Sequence, residues 1–240
     1  VRLVIEDDAT AVARTTAAVL LGTMLTDRRV NLSVTAGATP APTYALLTPQ
    51  LAAHPERFAD VHYYTFDEVP LPGRDRGLTL SALDEAYFGP AAVAPENVHA
   101  LTPGNVDGIR ADLRAHGGLD LMLLGLGADT HFCANMPGVT RFDADIYTYD
   151  VPTDQPWSHL LSGFDPAPTE VVTMGAPMVL RARRVVLVVT GAAKAEALAE
   201  VLTGEIRPER PGTILRTHPD LLVVADREAA ARLPASVPAG

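Results

Sequence analysis

"LDLMLLG", residues 119–125, decides the fold. The run is nearly continuous in apolar residues, the mark of a strand buried on both faces. Upstream, Gly117-Gly118 stops a helix that begins after Asn105. Downstream, "LGADTHFCANMPG" (126–138) turns through glycine, places Asp129 and His131 two residues apart, and closes on Pro137-Gly138.

Working outward, further strands are expected at "RLVI" (2–5), "VNLSVT" (30–35), "VHYYTF" (61–66), "NVHAL" (97–101), "TEVVTMG" (169–175), "RVVLVVTG" (184–191) and "LLVVAD" (221–226). Helical patterns separate them. One is capped by Asp7 or Asp8 and reaches about Leu25, and others cover 43–53, 79–88 and 192–202. Strands alternating with helices imply an α/β fold, a doubly wound and mostly parallel sheet with helices on both faces, in a Rossmann-like three-layer sandwich. With no internal repeat and no long linker, residues 1–240 read as a single domain. The least regular stretch, 139–168, holds Trp157 with several prolines and aspartates and is expected as a lid or rim segment.

Hydrophobic residues make up 48% of the chain and charged residues 20%, enough for a sizeable core and too apolar for disorder. A formal net charge of −10 argues against a nucleic-acid or membrane surface, both anionic. An anionic small molecule would then need local donors. The single cysteine, Cys133, forms no internal disulfide and no multi-thiolate site, and reads as a small packing residue. No apolar run approaches the ~20 residues that span a bilayer. Val1 opens a strand-like segment without a basic leader, so a soluble cytoplasmic protein is expected. Self-association into a homo-oligomer is left open.

In doubly wound folds ligands bind beyond the carboxyl ends of the strands. Thr39 follows the second expected strand, Asp67 the third, Asp129 and His131 the "LMLLG" run, and Lys194 the "VVLVVTG" run. Four strand ends converging on one crevice would bring these residues together. "TAGATPAP" (35–42) is a glycine-containing turn into a helix, suited to phosphate but equally an ordinary turn. Lys194 is expected about one turn into its helix, where a cation opposes the helix dipole. A bound phosphate would explain it; so would a solvated lysine. Asp67 reads either as a base at a buried strand end or as a turn aspartate, and His131 as an acid–base group oriented by Asp129 or as a structural histidine. Metal binding lacks a third ligand with convincing spacing.

These residues, in this order, resemble the glucosamine-6-phosphate deaminase and 6-phosphogluconolactonase family over nearly the whole chain. The resemblance is carried by "TAGATPAPTY", "YTFDEVP", "PENVHALT", "LGLGADTHFCANMPG", "VVTMGAPMVLRARRVVLVVTGAAKAEAL" and "LRTHPDLLVVAD". It looks most like the branch described as galactosamine-6-phosphate isomerases or deaminases. The resemblance implies Asp67 as the base shuttling a proton between C2 and C1 of an open-chain sugar. It implies His131 as the ring-opening group assisted by Asp129, and Gly37, Ala38, Thr39 and Lys194 as holders of the 6-phosphate. The reaction would be aldose–ketose isomerisation of an amino-sugar phosphate with loss of ammonia, without metal or organic cofactor. The alternatives are lactone hydrolysis, or a sugar-phosphate sensor without turnover. The chain departs from the family at Met136, where deaminases carry glutamate, and at Val69, where lactonases carry arginine. It departs again at Thr130, where glycine is usual and a positive φ would strain a β-branched residue. Arg141 and Arg74 are unassigned candidates for a phosphate-binding arginine.

Overall fold

The computed structural model describes residues 1–161, 163–235 and 237, the side chains of 159 and 160 excepted. Strands and helices alternate: β1 (Arg2–Glu6), α1 (Ala9–Met24), β2 (Val30–Ser33), α2 (Ala41–Ala53), β3 (Val61–Tyr64), β4 (Asp67–Glu68), α3 (Leu78–Leu83), β5 (Val98–His99) and α4 (Val106–Ala115). There follow β6 (Leu121–Gly125), β7 (Ile146–Asp150), β8 (Glu170–Met174), α5 (Ala176–Leu180), β9 (Val185–Val189), α6 (Ala195–Thr203) and β10 (Leu221–Asp226). Asp8, not Asp7, caps α1: its side chain accepts the N–H of Ala11 at 2.8 Å.

Seven strands form a parallel sheet in the order β1-β10-β9-β6-β2-β3-β5. The β6 run shows why it had to be apolar throughout. Leu121 and Leu123 pack with Val12 and Leu20 of α1 and Tyr44 and Leu47 of α2. Met122 and Leu124 point the other way, into a core shared with Ile109 and Leu113 of α4, Val179 of α5 and Leu198 of α6. All four β6 side chains are fully buried, each contributing roughly 1.5–3 kcal/mol. Helices thus cover both faces, as expected.

From β2 the chain steps through β3 to β5; from β6 it steps the opposite way through β9 and β10. The loops after β2 and β6 therefore diverge and leave a crevice at the carboxyl edge of the sheet.

Two expectations need correction. The strand expected over 61–66 ends at Tyr64. The next residues leave the sheet, the N–H of Met174 bonds the carbonyl of Phe66, and Asp67–Glu68 becomes an edge of a second sheet. That sheet, β4-β8-β7, is antiparallel, so "TEVVTMG" is its central strand and not part of the parallel sheet. Both environments bury a strand on two faces, and an apolar run alone does not separate them. The least regular stretch, 139–168, contains β7, with Ile146 and Tyr147 buried, and a 3₁₀ turn at Ser158–Leu161. The Trp157 indole N–H donates to the Pro137 carbonyl at 3.0 Å, tying this segment to the loop after β6.

Candidate active site

A cavity of about 250 Å³ lies at the carboxyl ends of the parallel strands, lined by Gly37, Ala38, Thr39, Asp67, His131 and Lys194 among others. The loops that carry them follow β2, β3, β6 and β9, which are neighbours in the sheet. Six of the seven residues singled out from the sequence thus meet in one place. Asp129, the seventh, stands behind His131.

Asp67 sits on β4, opposite Thr173 of β8. Burial pushes its carboxyl up to about 7; the Thr79 hydrogen bond opposes this, the Glu68 charge adds to it, and His131 opposes it. The Thr79 hydroxyl donates to Asp67 Oδ1 at 2.9 Å. A carboxyl titrating near neutrality accepts and returns a proton with little penalty either way.

The loop after β6 is built around one contact. His131 Nδ1 lies 2.6 Å from Asp129 Oδ1, and the His131 backbone N–H donates to the same oxygen at 3.1 Å. Burial raises the Asp129 carboxyl, but its hydrogen bonds from His131 and the imidazole charge outweigh this and hold it below the usual range. With Nδ1–H committed to Asp129, Nε2 is the nitrogen left for a ligand. Gly127 makes room for the pair: a Cβ there would fall 2.1 Å from His131 Nδ1 and 2.5 Å from Asp129 Oδ1. This close approach is the physical reason for the glycine at that strand end.

Backbone strain gathers on the same loop. Thr130 has φ +72° and Cys133 φ +49°, so the strain anticipated for a β-branched residue at 130 is present. The Thr130 hydroxyl is buried and has no hydrogen-bond partner among the described residues. Thr130→Gly removes an unfavourable φ and an unsatisfied hydroxyl at the cost of a methyl contact and some chain entropy. It is expected to stabilise the protein by about 1 kcal/mol, read as a higher urea midpoint at constant m.

The expected phosphate cradle has two parts. The N–H groups of Gly37, Ala38 and Thr39 make no hydrogen bond among the described residues, and α2 begins behind them without a side-chain cap. Lys194 is not inside a helix: Ala192–Lys194 forms a 3₁₀ turn, and Lys194 occupies the N-cap position of α6. Burial lowers its pKa and the Asp129 charge works against that, with lowering the net result. It makes no ion pair among the described residues.

Four further residues belong to this architecture. Thr79 lines the cavity and holds Asp67. Glu68 is buried behind it. Asp226, at the end of β10, accepts the Gly191 N–H at 2.9 Å and the Ala229 N–H at 2.7 Å, fixing the turn that leads to Lys194. The fourth, Cys133, lines the cavity instead of merely packing; burial first and Asp67 second push its thiol far up, leaving it un-ionised. Of these, Glu68 and Asp226 carried a sequence signal, an acid beside or at the end of an apolar strand. Arg141 lies over the Tyr147 ring and 3.5 Å from Asp143, and neither it nor Arg74 lines the cavity. Among the described residues no three His, Cys, Asp or Glu side chains are placed to hold a metal ion, and no helix is long and apolar enough to cross a membrane.

Fold and site together define an α/β protein with acid–base side chains and a lysine gathered over the carboxyl edge of a parallel sheet. Residues 6–223 match the glucosamine-6-phosphate isomerases/6-phosphogluconolactonase family, and the chain belongs to it. It is 29% identical over 224 residues to a glucosamine-6-phosphate deaminase of Shouchella clausii, covering 89% of this chain and 90% of the relative. The deaminase of Hahella chejuensis is 30% identical over 97% of this chain and 92% of its own length. Among solved structures, a monomeric glucosamine-6-phosphate deaminase superposes with a TM-score of 0.79 at 24% identity, covering 97% of this chain and all of that one (100%). The 6-phosphogluconolactonase from Trypanosoma cruzi superposes with a TM-score of 0.73 at 17% identity, covering 97% and 96%. At these identities the structural likeness speaks for the fold.

Proposed function

We propose that the protein is an amino-sugar-6-phosphate isomerase/deaminase, acting on galactosamine or glucosamine 6-phosphate. The observation that carries this reading is Asp67: a carboxyl raised to about 7 by burial, facing the same cavity as His131 and Lys194. In this reading Lys194 and the N–H groups of Gly37, Ala38 and Thr39 hold the 6-phosphate. His131, oriented by Asp129, moves the proton from O1 to O5 and opens the ring. The Asp67 carboxylate then takes the proton from C2 and returns it to C1, while the 2-ammonium group gives one of its protons to O1. The 2-amino group is left as an imine at C2, and water adding there releases ammonia and the ketose phosphate. No metal or organic cofactor enters these steps.

A second reading is favoured by one residue. Met136, 6% exposed, stands where the family's deaminases carry a glutamate, so the Asp129–His131 pair works without a third acid at that position. A thioether accepts no proton, whereas His131 activating water against a lactone would need only Asp129. The test is direct. Purified protein is given galactosamine 6-phosphate, glucosamine 6-phosphate and 6-phosphogluconolactone, and ammonia, ketose phosphate and lactone loss are followed. Ammonia with stoichiometric ketose phosphate is expected; lactone hydrolysis alone moves the protein to the second reading.

A further inference from the structure

The two adjacent acids of β4 have divided roles. We propose that Thr79 is a positioning residue for Asp67, held in place by the buried Glu68 carboxylate, so that the three residues act as one unit. The inference rests on Asp67 being the base of the reaction proposed above.

Strand alternation sends Asp67 toward the cavity and Glu68 to the opposite side, where only 3% of it is exposed. There its oxygens accept three backbone N–H groups: Val69 at 2.8 Å, Thr79 at 2.7 Å and Leu80 at 3.0 Å. Two of these are orphan donors of the first turn of α3. That helix has no side-chain cap of its own because its N-cap is Gly77. A carboxylate from the neighbouring strand thus replaces a local cap. Gly77 is needed for this docking, since a Cβ there would lie 2.3 Å from Glu68 Cδ. The Leu78 N–H also bonds the Val69 carbonyl at 2.9 Å, pinning the helix start to the strand end.

The consequence falls on the second residue of the helix. With its N–H fixed by Glu68, Thr79 presents its hydroxyl to Asp67 Oδ1 at 2.9 Å. An O–H donated to a carboxylate favours the charged form and fixes its rotamer. The titratable groups around Asp67 are Glu68 behind it on the strand, His131 and Cys133 from the loop after β6, Tyr149 on β7, and Lys194 across the cavity. Among the described residues it is Thr79, and none of these, that makes a hydrogen bond to the Asp67 side chain. Without it, burial and the Glu68 charge would keep Asp67 protonated further above neutrality.

Three variants, Thr79→Val, Thr79→Ala and Thr79→Ser, test this. The Asp67 carboxyl is titrated by carbon-13 NMR, assigned by comparison with Asp67→Asn, with no turnover required. Both hydroxyl deletions are expected to shift the titration upward by about one pH unit, with Ser restoring the wild-type curve. The acid limb of kcat/KM on galactosamine or glucosamine 6-phosphate should move by the same amount. An unshifted Asp67 titration in Val and Ala overturns the inference, even if activity falls. Absence of turnover in the wild type would instead defeat the functional reading, while the NMR titration still decides the role of Thr79.

Discussion

Asp67→Asn is expected to lower kcat for ammonia release by about 10³-fold, with KM for the sugar phosphate changed little. The amide keeps the shape of the side chain and an oxygen to accept the Thr79 hydroxyl, but it takes no proton from C2. The phosphate contacts proposed for Lys194 and the Gly37–Thr39 loop are untouched, so binding survives; kcat and KM measured separately check this split. The wild-type profile carries the matching signature. The base must be ionised, so kcat/KM falls as pH drops through about 7, the value to which burial raises this carboxyl.

The same variant should be more stable than the wild type at pH 8. In the unfolded chain the carboxyl titrates near its ordinary value of about 3.9; in the folded chain it titrates at about 7. Between those values the native protein holds a proton that the unfolded chain lacks. Wild-type stability therefore declines as pH rises from about 4 to about 7, then levels off. Asn carries no such dependence. The gain at pH 8 is bounded at about 4 kcal/mol by that interval, and the two chains should converge at pH 4. Urea titrations at both pH values read it. A functional site that costs stability is what a part-buried base with a raised pKa implies, and lost activity combined with raised stability is not the pattern of a damaged fold.

The layers of the fold were legible because they rest on periodicity and punctuation. The apolar "LMLLG" run required two covered faces, and Gly117-Gly118 and Asn105 bounded the neighbouring helix. The second sheet was not legible. β4 is two residues long, and β7, "IYTYD", lies in a stretch where prolines and aspartates hide its short alternation. Pairing direction is a tertiary property: Asp67, Thr173 and Tyr147 share one row across three antiparallel strands, and nothing local to any of them records it. For the candidate site, the strand-end rule gathered Asp67, His131, Lys194 and the Gly37–Thr39 loop. It did not reach Thr79, which acts on Asp67 through a hydrogen bond, and Asp226, an acid at a strand end, was passed over although it holds the Gly191 N–H in the turn before Lys194. Thr79 reads as an ordinary helix residue until Glu68 is seen to hold its N–H. Lys194 was misplaced by a turn because a 3₁₀ segment and an α-helix share the same alanine-rich composition.

Lys194→Ala is expected to raise KM for galactosamine or glucosamine 6-phosphate by about 100-fold while lowering kcat much less. Lys194 is the lysine or arginine lining the cavity among the described residues, and the sequence-level candidates Arg74 and Arg141 do not share the work. The chain as a whole carries a net charge of −10, so its field repels a phosphate dianion and local donors must overcome it. A charge-assisted hydrogen bond contributes about 1.5–3 kcal/mol, and deleting it leaves phosphate facing backbone N–H groups alone, roughly a 10- to 150-fold loss. Partial burial places Lys194 toward the upper part of that range, because a part-buried ammonium with no ion-pair partner among the described residues gains most from an anion that arrives. Inorganic phosphate supplies the control. It should inhibit the wild type competitively and protect it against thermal unfolding, and do neither in Lys194→Ala. Retention of phosphate inhibition in the variant would place the anion elsewhere and take the 6-phosphate assignment with it. Loss of kcat without a change in KM would put the ammonium beside the reacting carbons instead, on the side of Asp129, whose charge favours the protonated amine.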